Sequence, residues 1–202
     1  MNKAEARNIN GGLQQNSKMP CRSLAIECRG AVAQRLRSKA GTVCGGCYGR
    51  KRLHHLRGVK LAQVKKADAI NDPRWVEAMT IDIKSDPFFR WLSNGELTSV
   101  TMLDKILAVC RETPETRHWL PTREMPIIRQ RRSEILGLDN LTVRLSANMV
   151  NGPPPSKAWP LTSTVVTDSS NATCPAPQQG HQCHSCRLCW DKAQPNIAYT
   201  LQ

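Results

Sequence analysis

The spacing of the cysteines constrains this chain more than any other feature of its sequence. Seven of the nine cysteines fall into two groups, one early in the chain and one near its end. The first group is Cys28, Cys44 and Cys47, and the terminal group is Cys174, Cys183, Cys186 and Cys189. Cysteines two residues apart can turn their sulfur atoms toward one object, which in proteins is commonly a metal. The sequence therefore predicts one or two cysteine-ligated metal centres.

The terminal group favours a [4Fe-4S] cluster, with zinc as the alternative. Structural zinc is usually held by two Cys-x-x-Cys pairs from separate hairpins, whereas three cysteines each two residues apart wrap one face of an iron–sulfur cube. Three of the terminal cysteines have this second spacing, and Cys174 adds a fourth sulfur. We expect His181 and His184 to be exposed loop residues, because four sulfurs already complete a site.

The first group has three evident ligands and an open fourth position. Two glycines separate Cys44 from Cys47, which allows the backbone to turn tightly around a metal. Cys21 could complete a zinc site with the three cysteines of the group. Without Cys21, one iron of a cluster would remain open to a small molecule. We expect the ninth cysteine, Cys110, to pack in the core, because it occupies an apolar helical position.

A disulfide framework is the other use of many cysteines, and it requires an oxidising compartment. The first ten residues contain no apolar stretch that could act as a signal peptide. No later segment approaches the roughly 18 uninterrupted apolar residues of a membrane span. We therefore expect a protein of the reducing cytoplasm that is not bound to a membrane.

The chain is strongly basic, with 29 Lys and Arg against 16 Asp and Glu and a formal charge of +13. Such an excess favours a polyanionic partner such as nucleic acid. Ionised cysteine ligands would cancel part of it, and solvated helical faces are the alternative explanation. The scarcity of aromatic residues argues against a single-strand binder. The densest basic clusters are Arg50-Lys51-Arg52, Lys65-Lys66 and Arg129 to Arg132.

The hydrophobic pattern alternates between helical and strand periods, which predicts an α/β fold with a parallel sheet. Helices are expected over residues 53–70, from Asp72-Pro73 with a buried stripe of Trp75, Met79 and Ile83, and over 100–111 and 126–136. Strands are expected over residues 88–92, 118–120, 141–146 and 163–167. In parallel βα units the loops after the strands gather at one face. The first cysteine loop, Asn94-Gly95-Glu96, Thr122-Arg123 and Ser146-Ala147-Asn148 should meet there.

Composition divides the chain into three parts. Residues 1–18 are polar and predict a flexible lead-in. Residues 19–170 should form the α/β domain with the first group, and residues 171–202 a cysteine-rich metal-binding segment.

The order of motifs resembles the phage "gene product 88" family, an uncharacterised group of bacteriophage proteins. The matching residues run from Lys18 to Trp190: Lys18-x-Pro20, Cys28, Cys44-x-x-Cys47-Tyr48, Trp91-x-Ser93-x-Gly95-Glu96, Thr122-Arg123, Ser146 and the final Cys-x-x-Cys-x-x-Cys-Trp. The resemblance implies a protein of the host bacterial cytoplasm and supplies no activity. In that family a His often occupies the position of Leu92, and an aromatic residue often occupies that of Pro121. A proton-transfer role at residue 92 and a stacking role at residue 121 therefore do not carry over to this chain.

A more distant likeness is to the radical S-adenosylmethionine enzymes, whose incomplete βα barrel holds a three-cysteine [4Fe-4S] cluster. This likeness implies that the first group holds a reactive cluster and that S-adenosylmethionine binds to it. Gly95 and Glu96 would then contact the cofactor amine, and Arg123 a carboxylate or phosphate. The chain departs from those enzymes in the fifteen residues between Cys28 and Cys44, where they have three. A capped turn before the next helix is the alternative explanation for the Gly-Glu pair.

Two functions follow as hypotheses. The first is a phage iron–sulfur protein with a partial barrel and no predicted reaction, in which the terminal centre serves electron transfer or structure. The second is a non-catalytic basic protein, stapled by zinc or clusters, that binds nucleic acid or a host protein during infection.

Overall fold

A seven-stranded sheet organises the chain, and its strands lie side by side in sequence order. The fold is that of a computed structural model, which describes residues 1–47 and 56–201. The first two strands pair antiparallel, and every later pair is parallel. Within the described residues β7 pairs only with β6, so the sheet is open. The strands are β1 (Gln14–Gln15), β2 (Arg22–Ala25), β3 (Phe88–Asn94), β4 (Arg117–Thr122), β5 (Leu141–Val150), β6 (Thr162–Val166) and β7 (Asn196–Thr200).

Helices connect the successive strands from β2 to β5, as the alternating pattern predicts. Three short 3-10 turns, Ser169–Asn171, Ala176–Gln179 and Leu188–Trp190, connect β6 to β7. The helices are α1 (Lys3–Asn10), α2 (Ala31–Leu36), α3 (Arg57–Ala69), α4 (Trp75–Ile83), α5 (Val100–Glu112), α6 (Met125–Arg129) and α7 (Arg132–Leu136). The mixed α/β class and the mostly parallel sheet are thus confirmed. The helix predicted over residues 126–136 is two short helices.

The two faces of the sheet are covered differently. One face packs against helices, with Phe89 and Trp91 of β3 buried among Trp75 and Met79 of α4. The predicted stripe of α4 and the core position of Cys110 are both confirmed. Alternate residues of a strand point to opposite faces. The neighbouring residues therefore line what we call the inner face, where Phe88 and Trp119 meet the β6–β7 connection.

The buried face of α3 differs from the predicted one. The apolar residues of the predicted helix 53–70, among them Leu61, recur at threes and fours and predict one buried face. Leu61 is nevertheless 59% exposed, whereas Gln63 and Lys66 are buried. Asn94 Nδ2 donates to Gln63 Oε1 at 3.1 Å, and the methylene chain of Lys66 lies against Gly11. The polar face of α3 is buried because residues from distant segments hydrogen-bond to Gln63 and pack against Lys66. The predicted start of the helix at residues 53–55 lies outside the described residues.

Both terminal segments contribute regular elements to the fold. Within the predicted lead-in 1–18, α1 packs on α4, and its Asn10 Nδ2 donates to the fully buried Asp82 at 3.1 Å. Arg22 Nη1 contacts the same carboxylate at 2.8 Å. Polar contacts with Asp82, rather than an apolar stripe, therefore attach this helix to the domain. The predicted segment 171–202 ends in β7, which pairs with β6 and so extends the same sheet.

Candidate functional site

The first cysteine group lies at the carboxyl edge of the sheet. Cys28 follows the end of β2, and the loop that carries Cys44 is hydrogen-bonded to the end of β5. Val43 N donates to Asn148 O at 2.9 Å, and Val150 N donates to Gly41 O at 2.9 Å. The chain therefore closes a fifteen-residue gap between two cysteines by pairing the intervening loop with a distant strand.

Backbone contacts fix the local shape of this loop. Gln34 Nε2 and Arg37 Nη2 donate to Cys28 O at 2.7 and 2.8 Å. A Cβ on Gly45 would lie 2.7 Å from Lys39 O, so a side chain there would collide with the backbone. The tight turn expected at the two glycines thus requires Gly45, while Gly46 faces open space.

The thiols of the first group share one electrostatic environment with two charged residues. Burial raises the pKa of the Cys44 thiol, and the positive charge of Arg123 opposes this rise. The thiolates of Cys47 and Cys28 and the carboxylate of Glu96 each raise that pKa further. Burial likewise raises the pKa of Cys28, with a hydrogen bond from Arg37 acting against it. The first group, Glu96 and Arg123 therefore lie within electrostatic range of one another.

Glu96 is buried at the junction of β3 and β4. Its Oε1 accepts from Thr122 Oγ1 at 2.5 Å and from Leu97 N at 3.0 Å, and its Oε2 accepts from Arg123 N at 2.9 Å. Burial raises the pKa of this carboxyl group, and the contacts with Thr122 and Arg123 lower it. The carboxylate thus ties together the ends of two neighbouring strands.

Gly95 and Gly30 allow the close packing around Glu96. Gly95 has a φ of +102°, and a Cβ there would overlap Ile26, so this turn requires glycine. A Cβ on Gly30 would lie 2.5 Å from Glu96 Cγ and 2.7 Å from Glu124 Oε1. The sequence pattern did not identify Gly30, because its requirement arises from segments distant in the chain.

A second buried carboxylate, that of Glu124, was also missed. Val32 N donates to Glu124 Oε1 at 2.7 Å, and Glu124 N donates to Thr122 Oγ1 at 3.0 Å. Glu124 directly follows Thr122-Arg123, which was predicted to lie at this edge, and this position is the sequence signal that points to it. Arg123 itself donates through Nε to Ala147 O at 3.3 Å.

The terminal group lies in the β6–β7 connection, against the inner face. Trp190 anchors this connection: its Nε1 donates to Phe89 O at 3.1 Å, and its ring meets Phe88 and Trp119 edge to face. Cys189 Sγ lies 3.1 Å from Tyr199 Oη, and burial raises the pKa of Cys189 to about 12. Burial raises the pKa of Cys183, and the thiolates of Cys174 and Cys186 add to this rise. His181 and His184 are exposed, as expected.

Cys21 lies with the terminal group and not with the first group. It is buried beside Met19, Trp119 and Trp190, and Cys183 N donates to Lys18 O at 2.9 Å. Burial raises the pKa of Cys21 to about 12, Arg90 lowers it, and the Cys183 thiolate raises it. Cys21 precedes β2 and Cys28 follows it, and a four-residue strand spans roughly 13 Å. This arrangement disfavours the zinc set that would join Cys21 to the first group.

The described residues contain neither a metal-binding arrangement of side chains nor a helix that could span a membrane. Within residues 1–47 and 56–201, no three or more His, Cys, Asp or Glu side chains are arranged as around a bound metal ion. Over the same residues, no helix combines the length and the apolar character needed to cross a membrane.

Comparison with known proteins identifies the family of this chain. No curated protein and no solved structure matches the chain. The model of the gene product 88 family matches residues 2–192, which covers nearly the whole chain and both cysteine groups. The protein therefore belongs to the gene product 88 family.

Proposed function

We propose that this chain is a phage iron–sulfur protein, with a [4Fe-4S] cluster at the first group, at the terminal group or at both, and with zinc as the alternative metal. The observation that carries the proposal is the convergence of the first group, Glu96 and Arg123 at the carboxyl edge of an open parallel sheet. Six strands in sequence order, with cysteines after the first of them, support a partial barrel like that of the radical S-adenosylmethionine enzymes.

The first group has the kind and number of ligands that a three-cysteine cluster uses. Three thiols serve the first group, and Cys21, the nearest candidate in sequence for a fourth, belongs to the other end of β2. Three thiolates around a cube would leave one iron open. Burial raises the pKa of Cys28 and Cys44, and the positive charges of Arg37 and Arg123 oppose this rise, which favours the thiolate form that binds metal. A bound cluster would supply one-electron transfer, and its open iron a site for S-adenosylmethionine.

The charged residues at this edge would orient that cofactor. Glu96 already accepts three hydrogen bonds, and a carboxylate has about four lone-pair positions, which leaves one for an amine. Arg123 forms no salt bridge among residues 1–47 and 56–201, and its Nε donates only to a backbone carbonyl, so its guanidinium can receive a carboxylate or phosphate. Gly95 allows the Glu96 turn to approach β2 closely.

Metal analysis of cysteine variants tests the proposal. Chain purified without oxygen should contain iron and sulfide, or zinc, and Cys47→Ala and Cys186→Ala should each lower the metal content. Cys110→Ala is the matched control, since Cys110 is buried among apolar residues, and it should keep the full content. Colourless protein that contains neither iron nor zinc would refute the proposal.

A second candidate is a basic protein that binds nucleic acid or a host protein. The exposed Arg57, Lys60 and Lys65 of α3 form no salt bridge within the described part of the chain, which favours an acidic partner. The basic cluster at residues 50–52 lies outside the described residues. Phosphate contacts would make binding to DNA or RNA fall steeply with salt. Replacing these three residues with Glu should then abolish binding. Binding whose affinity does not change with salt concentration would exclude nucleic acid as the partner.

A further inference from the structure

Positive charge dominates the exposed surface at the carboxyl edge of the sheet. Four segments form this edge, and each lies wholly within the described part of the chain: 28–47, 94–98, 122–129 and 146–150. Their cations are Arg29, Arg35, Arg37, Lys39, Arg123 and Arg129. Their carboxylates are those of Glu96 and Glu124, which are only 3% and 2% exposed. A ligand that approaches these segments therefore meets cations without exposed acidic side chains among them.

The first of these segments lies across the ends of several strands. It begins after β2, where Cys28 O accepts from Gln34 Nε2 of α2 at 2.7 Å. It ends beside β5, where Val43 N donates to Asn148 O at 2.9 Å. Between Cys28 and Val43 the chain contains four cations and no acidic residue. The positive charge of this segment is therefore not balanced by its own side chains.

The two buried carboxylates of the edge hold the start of α2. The N-cap residue Gly30 has no side chain to cap this helix, and Glu124 Oε1 accepts from Val32 N at 2.7 Å instead. A Cβ on Gly30 would lie 2.5 Å from Glu96 Cγ, so the second carboxylate packs against the same turn. Neither glutamate forms a salt bridge within residues 1–47 and 56–201. The acidic groups of this edge thus fix the position of α2 and leave its exposed cations unneutralised.

Arg35 and Lys39 are available to a ligand. Both are exposed, and neither forms a salt bridge with any residue that the structure describes. Arg29 differs, because it pairs with Glu27 at 2.6 Å and with Asp68 at 2.8 Å. An anion that binds Arg35 and Lys39 would therefore break no internal salt bridge, and exposed cations of this kind attract polyanions.

The composition of the edge indicates which polyanion it suits. The four segments contain no Phe, Trp or Tyr, so they offer no ring on which an unpaired base could stack. Proteins that bind single-stranded nucleic acid depend on such stacking. A duplex keeps its bases paired and is bound mainly through its phosphate groups by Lys and Arg. The edge therefore has the chemistry of a duplex-binding surface.

We infer that the carboxyl edge binds the phosphate backbone of double-stranded nucleic acid, with Arg35 and Lys39 as phosphate contacts. The inference rests on the proposed function for the role of this edge as the functional site, and it adds the class of substrate. The binding surface itself consists of protein side chains and requires no metal. It also differs from the surface on α3, which the second candidate function uses.

The test measures the affinity of full-length chain, purified without oxygen, for a short DNA duplex over a range of salt concentrations. Arg35→Gln combined with Lys39→Gln should weaken binding roughly tenfold or more at low salt. The slope of log affinity against log salt should become shallower by about 1.8, because each phosphate contact contributes about 0.9. Arg35→Lys combined with Lys39→Arg keeps both charges and should bind like the parent. Unchanged affinity and slope in the Gln variant would overturn the inference.

A matched control removes the same charge at the opposite edge of the sheet. Lys84 follows α4 shortly before β3, and Lys3 Nζ donates to Ser85 Oγ at 3.3 Å, so both lysines lie near the start of that strand. Lys3→Gln combined with Lys84→Gln should keep the parental affinity and slope. An equal loss in this control would show that total charge alone determines binding, which would overturn the assignment to the carboxyl edge.

Other probes test the class of partner. Duplex RNA should also bind, because the contacts are with phosphate groups. Tighter binding of the single strand than of the duplex would contradict the duplex assignment, and equal binding of polyglutamate would contradict nucleic acid as the partner.

Metal analysis of the same preparations separates this inference from the proposed function. A chain that binds the duplex but contains neither iron nor zinc refutes the proposed function and leaves the binding surface supported. A chain that contains metal but binds no duplex overturns the inference alone. Circular dichroism checks folding, with Arg35→Gln alone as the substitute if the double variant does not fold.

Discussion

Two residues with unusual surroundings, Gly30 and His118, lie at different places around the sheet. At the carboxyl edge, Gly30 fills the small space between the buried Glu96 and Glu124. Within the helix-covered core, His118 is buried against Trp91, with its Nε2 2.9 Å from Thr113 Oγ1. Neither role follows from sequence, because each depends on partners from other elements. Gly45 and Gly95 were identifiable, because they accompany the motifs that they shape.

Gly30→Ala should destabilise the fold by about 1–3 kcal/mol, the usual cost of overpacking a buried site. The added methyl group would collide with Glu96 and Glu124. Urea denaturation measures the free energy of unfolding. Gly46→Ala is the control, because nothing lies within 4 Å of its added Cβ. Equal losses in the two variants would show that the space at Gly30 is not tight.

His118 should make stability depend on pH. Burial lowers its pKa from 6.5 to about 4, so between these values the unfolded chain binds the proton and the folded chain does not. Stability should therefore fall as the pH drops through this window, by at most about 1.4 kcal/mol per pH unit. Denaturation of wild type and His118→Gln from pH 7 to pH 4 measures this, and identical slopes would contradict it.

At the scale of helices and strands, some sequence patterns were sufficient to predict the element and others were not. The strands β3 to β6 were predictable from apolar runs, whereas β2 reads Arg-Ser-Leu-Ala and β7 follows the cysteine segment, so neither has a strong strand pattern. Helix α4 has its predicted apolar stripe. Helix α3 buries the opposite kind of surface, because Asn94 and Gly11 provide contacts for Gln63 and Lys66. Periodicity locates a helix but fails to orient it when polar partners are supplied by distant segments.

Paired truncations on the two helices test this orientation. Met79→Ala on α4 should cost about 2–5 kcal/mol, because it leaves a cavity in the core. Leu61→Ala on α3 should change the free energy of unfolding by no more than about 0.5 kcal/mol, because that side chain is largely exposed. A large loss from Leu61→Ala would contradict the observed face of α3.

At the scale of the whole molecule, the two cysteine groups lie at different parts of the sheet. The first group meets Glu96 and Arg123 beyond the strand ends, and the terminal group covers the inner face near the start of β3, close to Cys21. Sequence spacing suggested both groups and the gathering of loops at one edge. It left the place of Cys21 open, because proximity along the chain does not show at which end of a strand a residue lies.

This separation predicts that the two centres bind metal independently. Replacing Cys28, Cys44 and Cys47 with Ser should remove only the metal of the first group, and the content per chain should fall in part. Serine variants of the terminal group should remove the other share, so that the two losses add up to the wild-type content. Complete loss of metal from either set alone would contradict independent centres.

X-ray absorption at the iron and zinc edges of protein purified without oxygen tests cysteine ligation most directly. The account predicts a first shell made of sulfur, at about 2.3 Å if the metal is zinc. A first shell of nitrogen and oxygen atoms, or a protein that contains no metal at either edge, would contradict it.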